Sequence, residues 1–280
     1  GDPIGKTNAP RCYNKLFERL GMNAIMLPCE IKKGQLPQFL DSCHLMGIHY
    51  ICPTMPHKGD FVDLLDDVDE TSRLFHSVNA IRLDEKGSHG AGMDGKGAVK
   101  AMLEGGAKLD GVNALLYGAG GIAGVVAYEL TRQNVKKIYI ANRTPEKAEA
   151  IAKVVREHTA AQAEVIGTDP ASLDRAAADC ELFANLTPLG MKGYPYTHDY
   201  LGFISHLPKT ATVFDCVINP PETETIAAAK ARGLNTVPGM YMLVAQMDVI
   251  FDFLFAKRIT PEDKDACIEE LCTYLGVEKP

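Results

Sequence analysis

The run Asn113-Ala-Leu-Leu-Tyr117-Gly118-Ala-Gly120-Gly121-Ile-Ala123-Gly-Val125-Val126-Ala-Tyr-Glu-Leu130-Thr131 decides how the middle of this chain folds. Its first five residues form a short apolar stretch after Asp110-Gly111, which predicts a buried strand. A glycine cluster follows at once, and Val125, Val126 and Leu130 then recur at helical spacing. Gly118-x-Gly120-x-x-Ala123 fits the G-x-G-x-x-[G/A] pattern, which is weak alone and specific when it joins a strand to a helix. Gly118 suits the tight turn, Gly120 lets backbone approach a pyrophosphate, and Ala123 keeps the helix close to the sheet. The N–H groups at the start of that helix are free to meet phosphate.

Working outward, Lys137–Ala141 reads as a second strand and Pro145–His158 as a helix rich in Ala, Glu and Lys. Ala163–Ile166, Leu182–Asn185 and Thr212–Cys216 read as further strands with helical segments between them. Strand and helix alternating at this spacing predict an α/β fold with a doubly wound parallel sheet. The second strand ends in Ala141-Asn142-Arg143-Thr144, with Lys147 just beyond. An NAD site places a carboxylate here for the ribose hydroxyls. With a guanidinium available instead, NADP(H) is the expected cofactor.

The N-terminal part, to about Asp94, is also α/β and lacks a glycine loop. Tyr13–Leu20 and Leu36–Met46 read as helices, and Ala24–Cys29 and His49–Cys52 as strands. The stretch from Met240 onward is mostly helical. Composition is that of an ordinary globular chain of 280 residues, 46% hydrophobic and 23% charged, long enough for two domains. A formal charge of −7 argues against a nucleic-acid or anionic-membrane partner. The apolar run Val244–Phe255 is broken by Gln246, Asp248 and Asp252, so no membrane span is expected. The opening Gly-Asp-Pro does not resemble a secretory leader. Cys12, Cys29, Cys43, Cys52, Cys180, Cys216, Cys267 and Cys272 contain no C-x-x-C pair, which favours reduced, mostly buried thiols and a cytoplasmic setting. No metal-binding motif is present, and nothing specifies a protein partner or an oligomeric state.

Seven segments together resemble one family. Thr54-Met-Pro-His-Lys58, Ser77-Val-Asn79-Ala80, Asp94, Gly118-Ala-Gly-Gly121, Asn142-Arg-Thr144, Asn185-Leu-Thr-Pro-Leu-Gly-Met191 and Gly239-x-x-Met-Leu-Val-x-Gln246 follow the order and spacing of shikimate dehydrogenases over essentially the whole chain. The resemblance implies a two-domain oxidoreductase of aromatic amino acid biosynthesis. Residues 1–94 with the C-terminal helices of 240–280 would bind a small-molecule substrate, and residues 95–239 would form a Rossmann domain for NADP. It also implies that Lys58 and Asp94 are the catalytic pair. The pairing is chemically apt, because hydride leaves a secondary alcohol only as the hydroxyl proton is lost, and a lysine beside a carboxylate can move that proton. His57 is expected to serve the turn. On the substrate side the resemblance selects Thr7, Asn8, Thr54, Asn79 and Gln246. On the cofactor side it adds Asn185, Thr187, Met191 and Gly239 to Gly118, Gly120, Gly121, Ala123, Asn142, Arg143, Thr144 and Lys147.

The departures from the family pattern cluster on the substrate side. Its S-x-S segment, which grips the substrate carboxylate, reads Thr7-Asn8-Ala9 here. The asparagine before T-x-P-H-K is Cys52, the N-T before Asp94 is Gly92-Met93, and a tyrosine near Pro220 is Ile218. The family also places a strand ahead of its Gly-x-Pro-Ile segment, here Gly1-Asp-Pro-Ile4, so the natural protein is expected to begin earlier. Three readings follow: a shikimate or quinate dehydrogenase, a relative acting on another hydroxy acid or an amino analogue, and an NADPH-binding module without turnover. Lys58 and Asp94 argue against the third.

Overall fold

The computed structural model describes residues 1–5 and 7–280. Contacts divide the chain into two units, Gly1–Asp94 with Met247–Tyr274, and Gly95–Gln246 with Leu275–Pro280.

In the first unit, helices α1 (Ala9–Arg19) and α2 (Leu36–Leu45) precede the short strands β1 (Tyr50–Ile51) and β2 (Asp67–Val68). Helix α3 (Glu70–Phe75) then leads into the hairpin of β3 (Ala80–Asp84) and β4 (Gly87–Ala91). The sheet order is β1-β3-β4-β2, with β2 parallel to β4 and the other pairs antiparallel. Pro10 near the start of α1 is compatible with helix, where its missing N–H costs nothing. That helix buries Cys12, Tyr13, Leu16 and Phe17. Leu36, Leu40, Val78, Ile81 and Leu83 build the core under the sheet.

Ala24–Cys29 is not a strand. An apolar run becomes a strand only where a neighbour pairs its backbone, and this one lies beside helix α1. Met26 exchanges backbone bonds with the Asn14 side chain at 2.6 and 3.1 Å, and Ile25 and Leu27 are exposed.

The second unit begins in helix α4 (Asp94–Glu104) and continues through β5 (Asn113–Tyr117), α5 (Ala123–Thr131), β6 (Lys137–Ala141), α6 (Pro145–His158) and β7 (Gln162–Ile166). Then come α7 (Pro170–Ala178), β8 (Leu182–Asn185), β9 (Thr212–Asp215), α8 (Glu224–Ala231), β10 (Asn235–Pro238) and α9 (Gly239–Phe255), whose part from Met247 onward belongs to the first unit, as does α10 (Pro261–Leu275) up to Tyr274. The six strands are all parallel in the order β10-β9-β8-β5-β6-β7, the doubly wound sheet expected from the sequence. Tyr117 aligns with Ala141 on one side and Asn185 on the other, Asn185 with Asp215, and Asp215 with Pro238. The loops leaving these strands therefore start from one edge, at the point where chain order reverses about β5. Met240–Gln246, expected with the N-terminal part, belong to this unit, because Met242 and Ala245 pack with Val237, Ala98 and Met102.

Among the described residues no helix is long and apolar enough to cross a membrane, and no group of three or more His, Cys, Asp or Glu side chains could hold a metal ion. All eight cysteines are free, and five are buried. In the first unit Phe251, fully buried, lies 5.7 Å from both Tyr13 and Phe17 and 4.9 Å from Phe255 between ring centroids. Phe251→Ala should cost about 3–5 kcal/mol in chemical denaturation. A loss under about 1 kcal/mol, the scale of an ordinary surface change, would contradict this packing.

Candidate active site

In the first unit the β3–β4 register pairs Ala80 with Ala91, which sets Asn79 opposite Gly92, two residues before Asp94. Backbone bonds extend the ladder, from Asn79 N–H to the Ala91 carbonyl and from Val78 N–H to the Lys58 carbonyl, at 3.1 and 3.0 Å. The turn carrying Lys58 is thereby fastened beside the strand carrying Asn79. Lys58 Nζ lies 2.6 Å from Asp94 Oδ2, and Asn79 Nδ2 donates to Asp94 Oδ1 at 3.1 Å. The Asn79 carboxamide has one orientation, because its Oδ1 accepts the Met93 N–H at 2.6 Å. Each Asp94 oxygen thus has its own donor, and the ammonium is held on one side of the carboxylate. Lys58 keeps a quarter of its side chain exposed, with 24% accessible. Thr54 opens the same turn, accepting the His57 N–H on its carbonyl at 3.0 Å.

His57 is a structural residue of that turn. It is buried, and its Nε2–H donates to the Ile31 carbonyl at 2.6 Å. Thr7 and Asn8 are half-buried at the start of α1, and the Asn8 side chain makes no capping bond. Gly92 is packed rather than merely flexible: a Cβ there would lie 3.1 Å from Ser72 Oγ and 3.2 Å from the Ser77 carbonyl. Met93 beside it is buried. Burial pushes the half-buried Cys52 thiol up to about 12, so it stays protonated at neutral pH.

In the second unit the cofactor candidates gather on the loops at the strand ends. Gly118 has φ +110°, which favours glycine, and a Cβ there would lie 2.5 Å from Thr187 Cγ2. The Gly118 N–H donates to the Ala141 carbonyl at 2.8 Å. Gly121 faces open space, Gly120 is nearly as free, and helix α5 has no side-chain cap. An open glycine turn feeding an uncapped helix fits a pyrophosphate. Asn142 braces this loop, accepting from Ala119 N–H at 3.1 Å and donating to the Thr144 carbonyl at 2.7 Å. Arg143, Thr144 and Lys147 are exposed, and Arg143 makes no ion pair or hydrogen bond with a described residue.

Asn185, expected on the cofactor side, lies at the end of β8 beneath the loop that follows. It is fully buried; Nδ2 donates to Asp215 Oδ1 at 2.9 Å, and Oδ1 accepts the Thr187 N–H and hydroxyl at 3.1 and 2.7 Å. It shapes the loop that Thr187 and Met191 occupy; Met191 itself is exposed. Gly239 is required by packing, since a Cβ would lie 2.5 Å from the Cys216 carbonyl. Gln246 presses its backbone and Cβ against Gly97, where a Cβ would meet it at 2.6 Å. Asp215, at the center of these loops, was not legible as a site residue.

His198 faces the Tyr117 ring edge-on at 4.8 Å, and neither ring nitrogen has a hydrogen-bond partner. Burial holds its pKa down to about 4. The unfolded chain would protonate near the ordinary value of about 6.5. This histidine's contribution to stability is therefore complete above that value and is lost as pH falls toward 4. Thermal melting should show His198→Phe flattening the loss between pH 7 and 5; an unchanged slope would contradict the neutral, buried ring.

Comparison with known proteins gives the family. A profile of the shikimate dehydrogenase substrate binding domain matches residues 1–81, and one of shikimate/quinate 5-dehydrogenase matches residues 98–169. The chain is 30% identical over 275 residues to the shikimate dehydrogenase (NADP(+)) of Methanopyrus kandleri, covering 97% of this chain and 94% of that protein. Among solved structures, the ligand-free 5-ketofructose reductase of Gluconobacter sp. strain CHM43 superposes with a TM-score of 0.87 at 26% identity, covering 96% of this chain and 95% of that one. Shikimate 5-dehydrogenase from Listeria monocytogenes, in complex with shikimate and NAD, gives 0.88 at 25% identity, with 96% and 93% covered. This chain belongs to the shikimate dehydrogenase family.

Proposed function

We propose that this chain is an NADP-dependent dehydrogenase that reversibly oxidises a secondary alcohol of a hydroxylated cyclic carboxylate, shikimate or a relative. The observation that carries this reading is the 2.6 Å Lys58–Asp94 pair braced by Asn79. The dinucleotide, when bound, supplies or accepts the hydride. Lys58 handles the proton: its ammonium donates to the carbonyl oxygen on reduction, and its neutral amine accepts the hydroxyl proton on oxidation. Asp94 favours the ammonium and aims Nζ, while Asn79 keeps the carboxylate from turning. Thr7, Asn8, Thr54, Asn79 and Gln246 are the proposed substrate contacts. The first unit, residues 1–94 with 247–274, carries the substrate function and the second unit the dinucleotide function, in a cytoplasmic enzyme.

NADP rather than NAD is favoured by exposed Arg143 and by the absence of a carboxylate from Asn142-Arg143-Thr144. An unengaged guanidinium suits the 2′-phosphate. A second reading, a shifted substrate, is favoured by Ala9, Cys52, Met93 and Ile218, which offer no strong hydrogen-bonding group on the substrate side. A site with fewer partners for hydroxyls and carboxylate discriminates less strongly for them.

Lys58→Ala should lower turnover by about 10²–10⁴-fold, the range for a general acid–base group, with NADPH affinity unchanged. Near-normal turnover in that variant would refute the proton-transfer role. Arg143→Ala should weaken NADP(H) by about 1.5–3 kcal/mol, as for a hydrogen bond to a charged group, and spare NAD(H). Equal losses for both dinucleotides in binding titrations would show that Arg143 does not meet the 2′-phosphate.

A further inference from the structure

Asp215 ends strand β9 with no solvent exposure, and no cation pairs with it among the described residues. An isolated carboxylate out of water is costly unless donors converge on it. Here three do: Asn185 Nδ2 at 2.9 Å and the Val217 N–H at 3.0 Å on Oδ1, and the Thr223 hydroxyl at 2.6 Å on Oδ2. They come from three places in the chain: the end of β8, the loop after β9, and the residue capping helix α8.

Each bond reaches further. Asn185 passes its constraint to Thr187, whose hydroxyl accepts the Leu189 N–H at 3.2 Å. The Thr187 methyl sits where a side chain on Gly118 would be, so this loop and the glycine turn fit only in this relation. Val217 N–H fixes the Cys216–Val217 backbone, against which Gly239 is pressed. We infer that Asp215 is a positioning residue for dinucleotide binding, setting the 186–191 loop and the 216–217 backbone against the Gly118 turn and Gly239. With no solvent exposure, it acts through these neighbours. Its carboxylate suits the task because it can accept every one of these bonds at once, which no other side chain of that size does as well. Burial pushes its pKa up, and the hydrogen bonds from Thr223, Val217 and Asn185 act in the opposite direction, offsetting part of the cost of holding the carboxylate there.

The inference rests on reading this unit as the dinucleotide-binding one, and two measurements keep them apart. Calorimetric titration of NADPH reads binding, and amide hydrogen exchange of the free protein reads the loops. Asp215→Ala should weaken NADPH about tenfold, the effect of losing a typical net hydrogen bond or somewhat more. It should also speed exchange at residues 186–191 and 216–218 while leaving the first unit unchanged. Asp215→Asn should bind nearly as the parent protein does: its carbonyl still accepts from Asn185 and Val217, and the Thr223 hydroxyl turns to accept from the amide. If Asp215→Ala fails to fold, Asn185→Ala, which cuts the link to Thr187, should show the same loss and the same local exchange. Parent-like NADPH affinity in a folded Asp215→Ala or Asn185→Ala protein would overturn the inference. So would weakened binding with exchange raised evenly through the unit, or an Asp215→Asn loss as large as that of alanine. A parent protein that binds no NADPH would instead refute the dinucleotide reading, and the exchange pattern would still decide whether Asp215 orders these loops.

Discussion

The proposed chemistry depends on how the two oxygens of Asp94 are shared. One holds Lys58 Nζ at 2.6 Å and the other accepts from Asn79. A carboxylate with one donor can swing; one with a fixed donor on each side cannot. The Met93 N–H removes the last freedom by fixing Asn79. The geometry reaches back to the β3–β4 ladder and to the bond joining Val78 to Lys58, so a sheet of short strands is sufficient to aim a proton-transferring group.

The second unit solves a different problem by related means. A parallel sheet brings its loops to one edge but leaves them separately mobile. Here buried polar groups connect them: Asn142 spans two loops around the glycine turn, and Asp215 with Asn185 spans those after β8 and β9. Such networks are costly when incomplete and rigid when satisfied. Glycine enters where backbone and side chain meet most closely, at Gly118 and Gly239.

Much of this was legible in the sequence where local pattern and global fold agree. The glycine turn could be placed because an apolar strand and an amphipathic helix flank it, and Lys58 and Asp94 because their surroundings resemble a family. Long-range pairing was harder to read. Ala24–Cys29 has the composition of a strand without a neighbour to pair with, and Gly87-Ser-His-Gly-Ala91 is a strand despite a loop-like composition because β3 lies beside it. Gly92 looks like a flexible substitution until Ser72 and Ser77 are seen packed against it. Asp215 was missed for a related reason. One acidic residue after Thr-Val-Phe reads as the first residue of a loop, and only the fold gathers Asn185, Val217 and Thr223 around it.

The central claim is that the chain joins a proton-transferring lysine to NADP-linked oxidation of a cyclic hydroxy acid. The most direct test follows NADPH formation by the purified protein over a panel of such acids, including shikimate and quinate, with NADP⁺ and NAD⁺ supplied in parallel. The account predicts NADP⁺-dependent oxidation of at least one of these acids, and little with NAD⁺. NADPH binding without turnover of any acid in the panel would contradict it.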